Sequence, residues 1–107
     1  MKRTITIKLP LPHKHLSPNA RVHWGAKAKA VKESRALAGY VAAEMLPADW
    51  NPKGTTLLRI DGTFRTRAHR DADNFLASLK PYLDGLQDAG VVDDDSQFKI
   101  ASVEMWK

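Results

Sequence analysis

The sequence of 107 residues contains no cysteine, which excludes a disulfide framework, a thiolate zinc site and a cysteine nucleophile, and fits a reducing cytosol. It has no apolar run near the roughly 18–20 residues of a membrane span, and its start, MKRTITIKLPLP, lacks the uninterrupted apolar stretch of a signal peptide. A cytoplasmic protein without a membrane partner is expected. The chain is also too short to split, since division into domains sets in above about 250–300 residues. One small domain over residues 1–107 is therefore expected. Disorder is disfavoured too: 43% of residues are hydrophobic and 27% charged, an ordinary globular balance.

Acids are scarce where bases are dense. The net charge is +5, a balance that favours a polyanionic partner such as nucleic acid. Residues 1–35 carry nine bases and one acid, Glu33, whereas residues 71–107 carry three bases and eight acids. Either those acids form a solvated surface, or they are ligands for something the basic part helps to bind.

Residues 3–9 alternate Ile5 and Ile7 with polar neighbours and predict a half-buried strand closed by Pro10 and Pro12. His13 to Trp24 has no period and predicts a loop. From Ala26 to Leu46, apolar residues at three- and four-residue spacing predict a long helix with Lys27, Lys29, Lys32 and Arg35 in its first turns. Positive charge there opposes the helix dipole, which hints that those side chains serve a partner. After Pro47 and a turn at 52–54, residues 55–65 predict a second strand with Leu58, Ile60 and Gly62 on one face. Helical spacing resumes at Phe75 and runs to Gly90, a C-cap candidate. Pro81 predicts either a kink near Lys80 or a second helix beginning at Pro81. Residues 98–106 predict a final strand. The expected fold is α+β, in the order β-α-β-α-β, with a mixed sheet and the helices covering one face.

Asp71-Ala72-Asp73-Asn74 lies where a strand gives way to a helix. Asp and Asn cap helices well, but one carboxylate suffices for a cap, and residues two apart in an extended segment can converge on one cation. Asp93-Asp94-Asp95 reads either as a solvated acidic turn or as carboxylates that a cation compensates. Oxygen-only ligands select a hard ion, Mg²⁺ or Mn²⁺, which holds phosphate oxygens, activates water and neutralises developing charge. Lys80 is either a solvent-facing helix lysine or a fixed cation for the same transition state. Arg65, Arg67 and Arg70 place further positive charge beside the carboxylates, as a solvated face or as phosphate contacts. His13-x-His15 lacks a third metal ligand, and His23-Trp24 could either stack on bases or cover the rim of the core.

The motifs DADN and LKPYLDGLQDAGVVDDDSQ resemble the RusA family of Holliday-junction resolvases, whose pattern is D-x-D-N, a helix carrying K-x-x-x-D-x-L, an A-G turn, and a D-D pair two residues before Gln. The upstream SPNARVHW and basic helix look like that family's N-terminal half, so the resemblance spans nearly the whole chain. It implies that Asp71, Asp73 and Asp95 are catalytic and hold the metal, with Asp94 matching the acidic neighbour, and that Lys80 matches the catalytic lysine. One departure is an Asn74-to-Lys80 spacing longer by about one helical turn than in the best-known member. The resemblance also implies a homodimer, whose two-fold symmetry suits paired cuts in a four-way junction. The expected function is Mg²⁺-dependent cleavage of branched DNA in recombination and repair, with Lys27, Lys29, Lys32, Arg35, Arg65, Arg67 and Arg70 binding DNA. Two rivals stand beside it: a module that recognises branched DNA without cutting, and a basic adaptor for an acidic protein.

Overall fold

The structure, a computed structural model, describes residues 3–18, 20–64 and 71–106. Helix α1 (Trp24–Met45) is followed by strand β1 (Thr56–Thr63), helices α2 (Ala72–Ser78) and α3 (Lys80–Asp88), and strand β2 (Phe98–Trp106), with short 3₁₀ turns at Lys14–Leu16 and Asp95–Gln97. Among the described residues no helix is long and apolar enough to cross a membrane.

The expected β-α-β-α-β order loses its first strand, because residues 3–9 join no ladder among the described residues. Their side chains still alternate as expected, with Ile5, Ile7 and Leu9 half-buried between exposed neighbours, and Ile7 and Leu9 pack against the core. A period of two reports which side of an extended chain is covered and says nothing about whether its backbone finds a partner. The segment is held instead at its two ends, where Arg3 donates to Asp49 at 2.6 Å and the Tyr82 hydroxyl donates to the Pro10 carbonyl at 2.8 Å.

The sheet is parallel rather than mixed: β1 and β2 pair directly, from Thr56 opposite Phe98 to Thr63 opposite Trp106. Ala101 is the extra residue where the register shifts between Leu58 and Arg59. Parallel neighbours need a long crossover, and α2 and α3 supply it. On β1, Leu58, Ile60 and Gly62 turn inward while Leu57, Arg59 and Asp61 face out. Gly62 is required there, since a Cβ would lie 2.7 Å from the Phe75 ring of α2. The small α+β domain thus joins helices to a two-stranded parallel sheet, with Phe75 of α2 against the inner face of β1.

The core joins Phe75, Leu79, Tyr82 and Leu86 of the crossover to Ala38 and Ala42 of α1 and to Val91 and Val92. Burying each of the larger side chains contributes about 1.5–3 kcal/mol. On α1 the buried stripe is Ala30, Ser34, Ala38 and Ala42, while the larger Leu37 and Met45 are exposed. Small residues win that face because α3 comes very close. A Cβ on Gly85 would stand 2.3 Å from the Arg35 carbonyl, and one on Gly39 3.3 Å from that of Gly85.

Leu79 separates α2 from α3, and Pro81 sits in the first turn of α3, where no intrahelical N–H is needed. Gly90, at φ +94°, closes α3. Its amide donates to Gln87 and that of Val91 to Leu86, both at 3.0 Å, the paired bonds of a glycine-terminated helix. This closure aims Val91 and Val92 into the core and brings the acidic turn back across the start of α3.

Candidate functional site

Lys80 is the meeting point of two acidic residues, Asp84 and Asp95. It opens α3, and its Nζ donates to Asp84 Oδ1 at 2.7 Å and to Asp95 Oδ2 at 3.2 Å. The first contact is the one-turn neighbour on the same helix, and the second crosses from the 3₁₀ turn. These bonds, Asp84 before Asp95, hold the ammonium above the ordinary lysine range, so at neutral pH Lys80 is a cation and not a base.

Asp95 is carried to Lys80 by a scaffold built on Gln97. The Gln97 amide oxygen accepts from the backbone amides of Asp93 and Asp94, at 3.0 and 2.7 Å, while its nitrogen donates to the carbonyls of Pro52 and Gly54, at 2.8 and 2.7 Å. Asp94 caps the 3₁₀ turn and accepts from both the amide and the hydroxyl of Ser96. The hydroxyl first, then the amide, keeps its carboxyl below the usual carboxylate range. Asp94 is therefore occupied with turn geometry, and Asp95 projects beside it toward Lys80. Asp93 lies 3.9 Å from the Lys53 ammonium.

Asp71 and Asp73 sit at the other end of the crossover. Asp71 is the N-cap of α2, its Oδ1 accepting from the amides of Asp73 at 2.8 Å and Asn74 at 3.4 Å. Asp73, in the first turn, is exposed, and its carboxylate accepts no hydrogen bond among the described residues. Lys80 lies on the next helix, beyond the break at Leu79, and its ion pairs are with Asp84 and Asp95. Among the described residues no three acidic or imidazole side chains are gathered into a group that could hold a metal ion. The structure joins Lys80 with Asp95 and Asp71 with Asp73, and it does not assemble the three aspartates into one shell. The donor chemistry still fits a hard ion, because Mg²⁺ typically keeps several waters and takes one or two carboxylates with phosphate oxygens.

A cavity of about 270 Å³ opens beside Asp71, lined by His13, Lys14 and Ser17 from the N-terminal loop and by Asn74 and Ser78 of α2. No sequence signal tied that loop to the acids, because the contact is tertiary. The His13-x-His15 pair is used locally: His13 Nδ1 accepts from the His15 amide at 3.0 Å and caps the first 3₁₀ turn.

The basic residues divide as well. Lys27, Lys29, Lys32 and Arg35 are all exposed on α1. Lys29 approaches Glu33 at 3.8 Å, and Arg35 grips Asp88 of α3 through two bonds of 2.6 and 2.8 Å. That bidentate pair raises the arginine and lowers the Asp88 carboxyl from their ordinary ranges, the hydrogen bonds leading in both cases. Lys27 and Lys32 have no ion pair among the described residues. Arg65, Arg67 and Arg70 lie outside the described residues.

The fold and site define a small α+β domain with a lysine-centred acidic corner and a basic helix. Over 99 residues the chain is 42% identical to an uncharacterized protein of Xylella fastidiosa. The match covers 88% of this chain and 63% of that protein, so the chain spans less than two thirds of its relative's length. No family model and no solved structure matches.

Proposed function

We propose that the chain is a Mg²⁺- or Mn²⁺-dependent endodeoxyribonuclease that acts on branched DNA such as four-way junctions, as its RusA-like motifs imply. The observation that carries the reading is the contact of Lys80 with Asp95, 15 residues apart. Two motif positions that the resemblance pairs in function are neighbours in space. Asp71 and Asp73 would hold the ion together with a substrate phosphate, with Asp95 as the third acid. When bound, the ion supplies Lewis-acid charge and activates water for phosphodiester hydrolysis.

The chain's own residues do the rest. Lys80 keeps its proton and offers its ammonium to the charge that builds on the phosphoryl oxygens. Gln97 fixes the acidic turn, so that Asp95 and Lys80 stay together. Lys27, Lys29 and Lys32 contact phosphates of the duplex arms; Arg35 is partly committed to Asp88, and Arg65, Arg67 and Arg70 add to the same grip. Paired cuts need two sites, which a homodimer provides. The outer sheet face, with Leu57 and Trp106 exposed, is the surface we assign to it.

A second reading has its own support: Asp71 caps α2 and Asp94 caps a turn, which are structural employments. It makes the protein a non-catalytic binder of branched DNA. One assay separates the two. A synthetic four-way junction with Mg²⁺ is cut by the native chain, and Asp71→Asn and Asp73→Asn each slow cutting by about 10²-fold or more while binding persists. Equal cutting by the native chain and both variants, or binding with no metal-dependent product, overturns the nuclease assignment.

A further inference from the structure

The outer face of α1 carries a groove of about 540 Å³ lined by Trp24, Lys27, Ala28, Val31, Lys32 and Arg35. These positions follow the spacing of one helical stripe, so the groove runs along the helix for about three turns. Its buried counterpart, the Ala30–Ser34–Ala38–Ala42 stripe, packs against α3. Among the described residues, the ion pair that ties this stripe to α3 is that of Arg35 with Asp88. Trp24 is 78% exposed, the largest exposure among the big apolar side chains of the described residues. An indole left in water at the head of a helix contributes little to folding, since the apolar area it buries is small.

Its surroundings are cationic. Lys27 and Lys32 have no ion pair among the described residues, and Arg35 closes the far end with Asp88 as its counter-ion. There is no acid in the first turn of α1, so the positive end of the helix dipole adds to this field. The His23 side chain both caps α1, accepting from the Gly25 amide at 3.1 Å, and lies against the indole with ring centroids 5.5 Å apart and planes at 31°.

An apolar platform bordered by unpaired ammonium groups complements a flat aromatic ring flanked by phosphates. We infer that the Trp24 groove seats an unstacked nucleobase of single-stranded DNA, with the indole stacking on the base and Lys27 and Lys32 meeting the flanking phosphates. The inference rests on the reading of DNA as the partner and assigns a single-strand site distinct from the acidic corner.

The experiment uses a short oligothymidine carrying one 2-aminopurine, whose fluorescence is quenched on stacking. The native chain quenches it. Trp24→Ala, which keeps the native unfolding temperature because the side chain is exposed, loses the quench and binds the strand roughly 5- to 150-fold more weakly, as expected for loss of one stacked base. Trp24→Phe restores part of the quench. Lys27→Ala and Lys32→Ala each lower the salt slope of log K by about 0.7. Native-like quenching and affinity in Trp24→Ala overturn the proposal, as does displacement of the strand by polyglutamate from the native chain and Trp24→Ala alike. The nuclease reading fails separately: an intact quench with no metal-dependent cutting sinks that reading and leaves this site standing.

Discussion

At the corner where α3 meets the turn before β2, Asp84 and Asp95 share Lys80 and Asp94 is held by Ser96, whereas on the outer face of α1 the ammonium groups of Lys27 and Lys32 meet no carboxylate among the described residues. A charge paired inside the chain is positioned, and its partner tunes its protonation. An unpaired one is positioned loosely and keeps its full field for something outside. On the proposed reading, the corner performs chemistry on one phosphate and the face holds many. The two regions are tied together at Arg35, whose carbonyl faces Gly85 and whose guanidinium grips Asp88.

Breaking that tie has the largest expected effect. In Gly85→Ala the new Cβ would stand 2.3 Å from the Arg35 carbonyl and 2.8 Å from the Gly39 amide, both backbone atoms that no side-chain rotation can move. Helices α1 and α3 must separate, and a loss of about 3 kcal/mol is expected, or about 12–24 °C in Tm for a chain of this size. Gly54, at φ +86°, has nothing within 4 Å of its Cβ direction, so Gly54→Ala is the control for backbone strain without collision. Denaturant unfolding of the two variants measures the difference. Equal losses would mean that the α1–α3 approach is looser than described.

Removing the central charge of the corner sharpens the comparison at lower cost to the fold. Lys80 is 59% exposed, so its pairs contribute at most about 1 kcal/mol to stability. Lys80→Ala is expected to unfold near the native temperature yet cut a four-way junction about 10²- to 10³-fold more slowly. Lys29→Ala, on the basic face, is expected to leave the rate at saturating junction unchanged and only weaken binding. If Lys29→Ala slows the saturated rate as much as Lys80→Ala, the division of labour between the two regions fails.

Much of this was legible in the residues. The 3.6-residue spacing announced α1, and Pro81 announced that the helix after Asp71 would break near Lys80, as it does at Leu79. Residues 98–106 were readable as a strand from their β-branched and aromatic content. That residues 3–9 would join no ladder among the described residues was not readable, because alternation reports exposure only. The choice of small over large residues for the buried face of α1 depends on how closely Gly85 approaches, which is a fact about another helix. At the site, the spacing of Asp71, Asp73 and Lys80 along the crossover was visible, but the return of Asp95 was not. That return depends on Gln97 reaching back across the chain to Pro52 and Gly54, and no local pattern encodes such a bond.

The smallest expected effect tests the tie from its electrostatic side. Asp88 and Asp94 both ionise below the usual carboxylate range, Asp88 chiefly through its hydrogen bonds from Arg35 and Asp94 chiefly through Ser96. In the pH range where these groups titrate, the unfolded chain binds more protons than the folded one, so stability rises with pH. Their contribution is fully present above the ordinary carboxylate value of about 4 and is lost as pH falls through their folded values. Lys80, raised by Asp84 and Asp95, has the opposite sign: its contribution is present below the ordinary lysine value of about 10.4 and is lost as pH climbs through its folded value. Thermal unfolding of the native chain is therefore expected to plateau between these limits and fall on both sides. Asp88→Asn should lower the plateau slightly and flatten the acid limb, so that the two curves converge once Asp88 is protonated in both states, while the alkaline limb stays native. Curves that run parallel through the whole acid limb would show that Asp88 titrates like any surface carboxylate. Arg35 would then be as free as Lys27 and Lys32, and the basic face would gain a third unpaired charge.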